Sequence, residues 1–600
     1  MPELVRAIAG SLPQGASVDE VLETAEELAR FPGVELVEFG GPGRPARFTT
    51  RELLEVEREA LELALAGRDA QAPRPDEKTL LRTLIQSRTL RNDQRHLVRE
   101  ASLSPDRVVC VVGVAGAGKT TALRALADAH RESDIAVLGA APSARAADEL
   151  AHAIGIRATT LHRLLFDAHR EGRLPDRCVI VIDEAGMAET RVLAPLLRLI
   201  DQAEGKALLV GDPGQLPAVG AGGLYPALCD RLGAIELTGN RRQRDLSERQ
   251  ALTRLRAGDP EPYLAHAARR GRLQLADDPT VAKQRLLEDW WQVAQHDLDR
   301  TVMLAYRRAD VRDLNDAART LLLRAGRLGP HALALDQREF RVGDRVLCRQ
   351  NDTRLGVRNG TRGTIIDLDE TTLTVRTDGG SLRSLPVPYA AEHLDHAYAL
   401  TGHAAQGATV DRAFILLLGE GALREWGYVA CSRARTETRL YLADRVSEVE
   451  TAHEDDRRSP PERAARALER SAAEPLALDQ TKRRHDVNGR LLTRRQEELE
   501  RQRDRAAKRL ATVQRELKQL GWWSRGGRRF QLERNIAFHQ TALRALDEKR
   551  EELARTAPPR ARQMPRGLGR DHEEFGRSLR PEPPARRALQ REPPSLGLGL

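Results

Sequence analysis

Short apolar runs separated by helical segments fill the chain from about residue 80 to 232. Val108–Val112, Ile135–Leu138, Val179–Ile182 and Ala207–Val210 lack polar alternation, which is the pattern of parallel strands covered on both faces. The alternation of strand and helix predicts a doubly wound α/β domain over 76–232. A second set, Ile235–Leu237, Thr301–Leu304, Ala413–Leu418 and Arg439–Leu442, predicts another over 233–340 and 391–450. Between its halves, 341–390 switches to period-two alternation broken by Asn359-Gly360 and Asp378-Gly379. That pattern predicts a small β-barrel inserted into the second domain.

The flanks read differently. Residues 1–75 predict a small N-terminal α/β domain, with Val34–Phe39 as a strand. Leu54, Leu61 and Leu65 share one face of a helix that Thr49 or Thr50 can cap. After a linker at 451–485, Ala506, Leu510, Val513, Leu517 and Leu520 step by three and four, and Leu532, Ile536, Leu543 and Leu546 follow a similar spacing. They predict a basic, coiled-coil-like helical hairpin over 486–556, with Trp522 and Trp523 at the bend. Residues 557–600 are rich in Pro, Arg and Gly and predict a disordered basic tail.

Composition narrows the class. With 600 residues, 40% hydrophobic and 31% charged, the chain has material for several cores and is not wholly disordered. Aromatics at 4% argue against a base-stacking or carbohydrate surface as the main device. Cys110, Cys178, Cys229, Cys348 and Cys431 lie far apart without a CxxC pair, which excludes a zinc ribbon or disulfide framework and suits a reducing cytosol. No apolar run reaches the roughly 18 residues of a membrane helix, so the expectation is a cytoplasmic protein without membrane insertion. The net charge of +8 is uneven: residues 481–600 hold 30 basic and 16 acidic residues. Such a tail suits a polyanion. Only eight of the 96 basic residues are Lys, however, so general Arg usage explains it equally well.

The chemistry is concentrated in a few loops. Gly113-Val114-Ala115-Gly116-Ala117-Gly118-Lys119-Thr120 follows a strand and opens a helix, the context a phosphate loop requires. Backbone N–H groups from Gly113 through Thr121 would close around the phosphates of ATP, Lys119 would place its charge on them, and Thr120 would take Mg²⁺. Val179–Ile182 ends in Asp183-Glu184, supplying a second Mg²⁺ ligand and a base for the attacking water. Gln215, in Gly211-Asp212-Pro213-Gly214-Gln215, follows another core strand and can sense the γ-phosphate. Arg242 and Arg433, in Asn240-Arg241-Arg242-Gln243 and Ser432-Arg433-Ala434-Arg435, can stabilise charge on the transferred phosphoryl. Since both arginines belong to the same chain, the cleft is expected between its own two domains.

This ordered set resembles the superfamily 1B helicases of the RecD-like kind, and in particular the helicase part of MobF-class conjugative relaxases (TraA/TraI/TrwC type). Asn92-Asp93-Gln94-Arg95 is similar to the Q motif, which implies that Gln94 reads adenine. Ala140-Ala141-Pro142-Ser143, Thr159-Thr160-Leu161-His162 and Thr401-Gly402-His403-Ala404-Ala405-Gln406-Gly407 are similar to motifs Ia, Ib and V. They imply single-strand contacts at Pro142, Ser143, Thr160, His162, Thr401, His403 and Gln406. The resemblance further implies two RecA-like P-loop domains, a 2B domain at 341–390 and a minimal strand-separating pin at Phe166–Asp176. The implied activity is an ATP-dependent 5′→3′ DNA helicase and translocase tied to conjugative transfer, acting on single strands and duplex junctions with a monomeric motor. A relaxase or coupling protein is the partner class for the hairpin and tail. The alternatives are a DNA-stimulated ATPase that remodels partner proteins and a RecD-like repair helicase. The chain departs from the family at Gly186, where many RecD-like proteins carry Ser, and at Ala404-Ala405, where motif V usually has Lys-Ser. Residues 1–75 contain neither Tyr nor His, so no nicking domain, and no nicking, is expected.

Overall fold

The computed structural model describes residues 8–9, 16–29, 34–38, 47–335, 338–418, 421–443, 459–480, 484–519 and 526–556. They fall into two units, 1–482 and 483–600. Leu520, Trp522, Trp523 and the tail from 557 lie outside the described residues, as does Phe39.

The first unit contains two parallel sheets. The first has six strands in the order Arg157–Thr160, Val137–Ala141, Val179–Ile182, Lys206–Gly211, Val108–Gly113, Ala234–Leu237. All neighbours are parallel, and Val179 to Ile182 are fully buried, as expected for strands with helices on both faces. The second has five strands, also all parallel, in the order Ala399–Leu400, Thr301–Ala305, Val410–Leu417, Ala434–Leu442, Leu273–Leu275.

One strand changes sheets relative to the sequence reading. Ala234–Leu237 pairs with Val108–Gly113 at the edge of the first sheet, not in the second. A four-residue apolar run carries no mark of its partner, and only the register with the P-loop strand decides it. Arg157–Thr160 and Leu273–Leu275 are strands the reading missed, because they are short and partly exposed.

The segment between Thr301–Ala305 and Ala399–Leu400, expected as an inserted barrel over 341–390, holds a separate antiparallel sheet. Five antiparallel strands run in the order Leu382–Pro386, Thr372–Thr377, Arg362–Leu368, Arg345–Cys348, Leu394–His396, beside a hairpin of Ala332–Leu335 and Arg338–Arg341. Phe340, Ile365, Leu373, Leu385 and Leu394 make its core. Among the described residues its edge strands do not pair with each other, so the sheet is not shown to close as a barrel.

Thr50 rather than Thr49 caps the helix Arg51–Ala66, accepting from the Leu53 N–H at 3.2 Å. This helix packs on Thr190–Gln202, with Arg191 bound to Glu52 at 2.8 Å. Residues 459–480, expected as part of a linker, are a packed strap. The Glu425 carboxylate accepts from the Ser471 hydroxyl (2.5 Å) and the Ala472 N–H (2.9 Å). Buried Glu57 accepts from the Ala477 and Leu478 N–H groups at 3.2 and 2.8 Å. Helix Pro460–Glu469 fits this role through a buried Ala464, Ala467, Leu468 face, a pattern too short to distinguish from a solvated helix by sequence alone.

In the second unit, helices Arg484–Gln519 and Gly526–Thr556 are joined by an Arg503–Asp547 ion pair at 2.8 Å, as an antiparallel hairpin requires. Among the described residues no helix is long and apolar enough to cross a membrane.

Candidate active site

The P-loop lies between strand Val108–Gly113 and helix Lys119–Arg131. Gly116 and Gly118 take φ of +76° and +81°, a region that costs other L-residues strain. A side chain at Gly113 would strike the Lys119 stem, its Cβ falling 2.6 Å from Cδ. Gln94 does not stand free: its amide donates to the Gly118 carbonyl (2.9 Å) and accepts from the Arg91 N–H (3.0 Å). Arg91, which the sequence reading passed over, donates to the Ala117 carbonyl at 2.8 Å. The start of helix Asn92–Leu103 thus clamps the loop from outside.

Asp183 and Glu184 end the buried strand beside Lys119. Glu184 sits at φ +52°, a left-handed conformation rare for a non-glycine residue and typical of functional sites. Its N–H donates to Asp183 Oδ1 at 2.9 Å. Burial would depress the Lys119 ammonium, but Glu184, Asp183 and Asp212 outweigh it and raise the pKa. Burial, with Glu184 and Glu149, pushes the Asp183 carboxyl upward against the pull of Lys119. A cation brought to Asp183 would relieve that cost.

The opposite wall comes from the connection after Ala234–Leu237 and from the second sheet and its helices. Arg242 packs directly on the loop: a Cβ at Gly116 would fall 2.8 Å from the Arg242 Cβ. Its guanidinium donates to the Ser432 carbonyl at 3.0 Å. Gln243 donates to the carbonyls of Ser432 (3.1 Å) and Ala434 (2.8 Å), locking the two arginine segments together. Arg433 is 2% exposed. Burial, then repulsion from Arg242, lowers its pKa to about 9, against the attraction of Tyr428, Glu184 and Asp212. Such a guanidinium gains most from an incoming anion. Tyr428, missed by the sequence reading, accepts from the Ala115 N–H through its hydroxyl at 3.3 Å. Ala115 and Leu216 belong to the apolar cluster of the second lobe, with Val429 and Ile415.

The residues expected to act on a nucleotide therefore lie close together. Lys119, Thr120, Asp183 and Glu184 line one cavity. Gln215, Arg242 and the buried Arg433 sit beside it, close enough to Asp212, Glu184 or Lys119 to interact with them. The loop glycines form a cradle a Cβ would fill, and Thr120 with Asp183 offers the hard oxygen donors Mg²⁺ takes alongside phosphate oxygens and water. The residues fit both groups.

The strand-contact candidates lie on the carboxyl side of the parallel strands, where open α/β sheets bind ligands. Pro142 and Ser143 follow Val137–Ala141, Thr160 and His162 sit at the end of Arg157–Thr160, and Thr401 and His403 follow Ala399–Leu400. The hydroxyls of Ser143, Thr160 and Thr401 accept from the N–H groups of Ala146, Arg163 and Ala404, which leaves each hydroxyl proton to donate. Gln406 departs from this group: its amide reaches Glu184 at 3.5 Å, placing it at the cleft. Phe166–Asp176, the expected pin, is the second half of helix Leu161–Glu171 and the turn after it, with Phe166 59% exposed. A cavity of about 780 Å³ runs from Lys119 and Glu184 past Arg145 to Arg358 and Arg362 of the inserted sheet. Arg358 is tied to Asp148 at 2.9 Å.

Residues 89–278 match the AAA domain family AAA_30. The chain is 33% identical over 426 residues to the conjugal transfer protein TraA of Rhizobium radiobacter, covering 68% of this chain and 38% of that protein. It is 28% identical over 410 residues to the RecBCD enzyme subunit RecD of Mycolicibacterium smegmatis, covering 59% of this chain and 71% of that one. A solved Pif1 helicase from Bacteroides is 19% identical, with 59% of this chain and 92% of that chain covered and a TM-score of 0.41. The chain thus spans well under half the length of the TraA proteins it matches. It carries an AAA_30 domain and is similar to RecD-like helicases and to part of the conjugal transfer TraA proteins.

Proposed function

We propose that the chain is an ATP-driven translocase that moves 5′→3′ on single-stranded DNA and separates duplex at junctions, in the cytoplasm, in the service of conjugative transfer. The observation that carries this is the meeting of the P-loop with Arg242, with the buried Arg433 close behind it. Lys119 and the loop N–H groups bind the phosphates. Thr120 and Asp183 would hold Mg²⁺, which when bound neutralises phosphate charge. Glu184 accepts the proton of the attacking water, and Gln215 aligns that water. Gln94, released from Gly118, is placed to read the adenine edge. Arg242 and Arg433 meet the charge that builds on the phosphoryl, an effect worth about 10³–10⁵ in rate. Closing on ATP and opening after hydrolysis changes the distance between the two lobes. Ser143 and Thr160 on one lobe and Thr401 on the other donate hydroxyl protons to strand phosphates, with Pro142, His162 and His403 beside them. Such contacts tolerate any sequence and weaken with salt.

An unwinding assay on substrates with a 5′ or a 3′ single-stranded tail tests the reading: activity is expected on the 5′-tailed substrate, and exclusive activity on the 3′-tailed one contradicts the polarity. The helix at Phe166, in place of a projecting β-hairpin, favours a second reading, a DNA-stimulated ATPase that remodels partner proteins. Strand-stimulated ATP turnover without duplex separation would support it. For the basic hairpin the proposed partner is a relaxase or coupling protein. Deleting 483–600 should then abolish partner capture and leave unwinding by the monomeric motor intact.

A further inference from the structure

The loop that carries Gln215 is held by Arg256, a residue outside every motif considered so far, through Asp212 of the loop itself. Asp212 is buried at the end of strand Lys206–Gly211, its carboxylate fully shielded from solvent. Three groups converge on it. Oδ1 accepts from the Gly214 N–H at 3.0 Å and from Arg256 at 2.7 and 2.8 Å, and Oδ2 accepts from the Gln215 amide at 3.3 Å. Beside a carboxylate an amide must present its NH₂ group, so the contact fixes which way Gln215 faces. Its carbonyl oxygen can then accept from a water and its second N–H can donate to a phosphate oxygen.

Arg256 comes from the other lobe. It ends helix Leu246–Arg256, whose Ala251, Leu252 and Leu255 are buried in the second lobe's core. The next residue, Ala257, accepts through its carbonyl from Arg424 at 2.7 Å. Arg424 opens the helix that carries Tyr428 and leads to Arg433. The fit is close on the loop side as well. A Cβ at Gly214 would lie 2.7 Å from the Arg256 Cγ and 3.1 Å from its Nε, so the loop rests on the arginine stem.

We infer that Arg256 is a positioning residue for ATP hydrolysis: through Asp212 it sets the orientation of Gln215, and because it rides on the second lobe it makes that orientation depend on how the lobes stand. This rests on the reading of the cleft as an ATPase. Arg256 touches no reacting atom, so its loss affects the alignment of Gln215 rather than nucleotide binding. A misplacement of about 1 Å at a reacting group costs on the order of 10²-fold.

The test is strand-stimulated ATP turnover by the full chain, with thermal melting in parallel, for Arg256→Met, Arg256→Lys, Asp212→Asn, the Arg256→Met/Asp212→Asn double variant, Gly214→Ala and Lys119→Ala. The expected result is a kcat lowered about 10²-fold in Arg256→Met with KM for ATP held within about threefold. Arg256→Lys should recover part of the loss, and the double variant should be no slower than Asp212→Asn alone. Gly214→Ala perturbs the same contact from a half-buried turn and should also lower kcat at constant KM, which keeps the inference testable if Arg256→Met melts early. A kcat near wild type in Arg256→Met or Gly214→Ala, additive losses in the double variant, or a loss confined to KM would overturn it. Lys119→Ala separates the two failures: if it still turns over ATP, the ATPase reading falls; if it is inactive while Arg256→Met is normal, only this inference does.

Discussion

The two walls of the cleft are built in opposite ways. One is a continuous piece of chain, Val108 to Arg131, in which strand, loop and helix fix Lys119 by local geometry. The other is gathered from Arg242, Arg256, Tyr428 and Arg433, segments separated by up to about 190 positions and held together by Gln243 and Arg424. A local wall is rigid because secondary structure sets it. A gathered wall holds only while its lobe is docked, so it is the part that can respond when nucleotide is bound or lost. A motor needs both, a fixed cradle and a clamp that can let go.

That contrast can be broken in several ways, from severe to slight. Lys119→Ala should reduce ATP turnover to background while strand binding in a low-salt gel assay is kept; undiminished turnover would remove the cradle from the account. Arg433→Ala should slow turnover by about 10³-fold with a smaller change in nucleotide affinity, since the arginine acts on charge that develops late. A loss of affinity with normal turnover at saturation would make it part of the cradle instead.

The rigid wall should weaken in acid. His130, buried on helix Lys119–Arg131, has Nδ1 2.8 Å from the Leu126 carbonyl, while its Nε2 has no hydrogen-bond partner among the described residues. Burial lowers its pKa from 6.5 to about 4. The unfolded state therefore binds the proton more readily, so stability is full above pH 6.5 and is lost as pH falls toward 4, by at most about 3 kcal/mol. Urea midpoints at pH 7 and 4.5 should show this fall, and His130→Leu should flatten it. Gly116→Ala should cost about 1–2 kcal/mol through its positive φ and its approach to Arg242. Nucleotide titration should then show roughly tenfold weaker binding, and unchanged affinity would mean the two walls do not need to touch.

The legibility of the molecule follows the same division. The P-loop, Asp183-Glu184 and the strand before each could be read from sequence because a few adjacent residues carry both fold and chemistry. The helical hairpin was legible from its period. Arg256 and Tyr428 were not, since an arginine at a helix end or a tyrosine in an apolar run looks the same whether or not folding brings it to a phosphate loop. Ala234–Leu237 and the strap at 459–480 escaped for a related reason: a short apolar strand does not name its sheet, and residues such as Glu57 and Glu425 read as surface charges until backbone N–H groups arrive to bind them. The motif of Gln406 is readable in the sequence, but its contact with Glu184 is not, because that contact depends on packing between distant segments.

The most direct measurement is a crystal structure of the chain with Mg²⁺, ADP and aluminium fluoride in place of the transferred phosphoryl. The account predicts the guanidinium groups of Arg242 and Arg433 within hydrogen-bond distance of the fluoride ligands, facing Lys119 across the nucleotide. Both groups turned away from the nucleotide, with the phosphoryl mimic met by the first lobe alone, would contradict it.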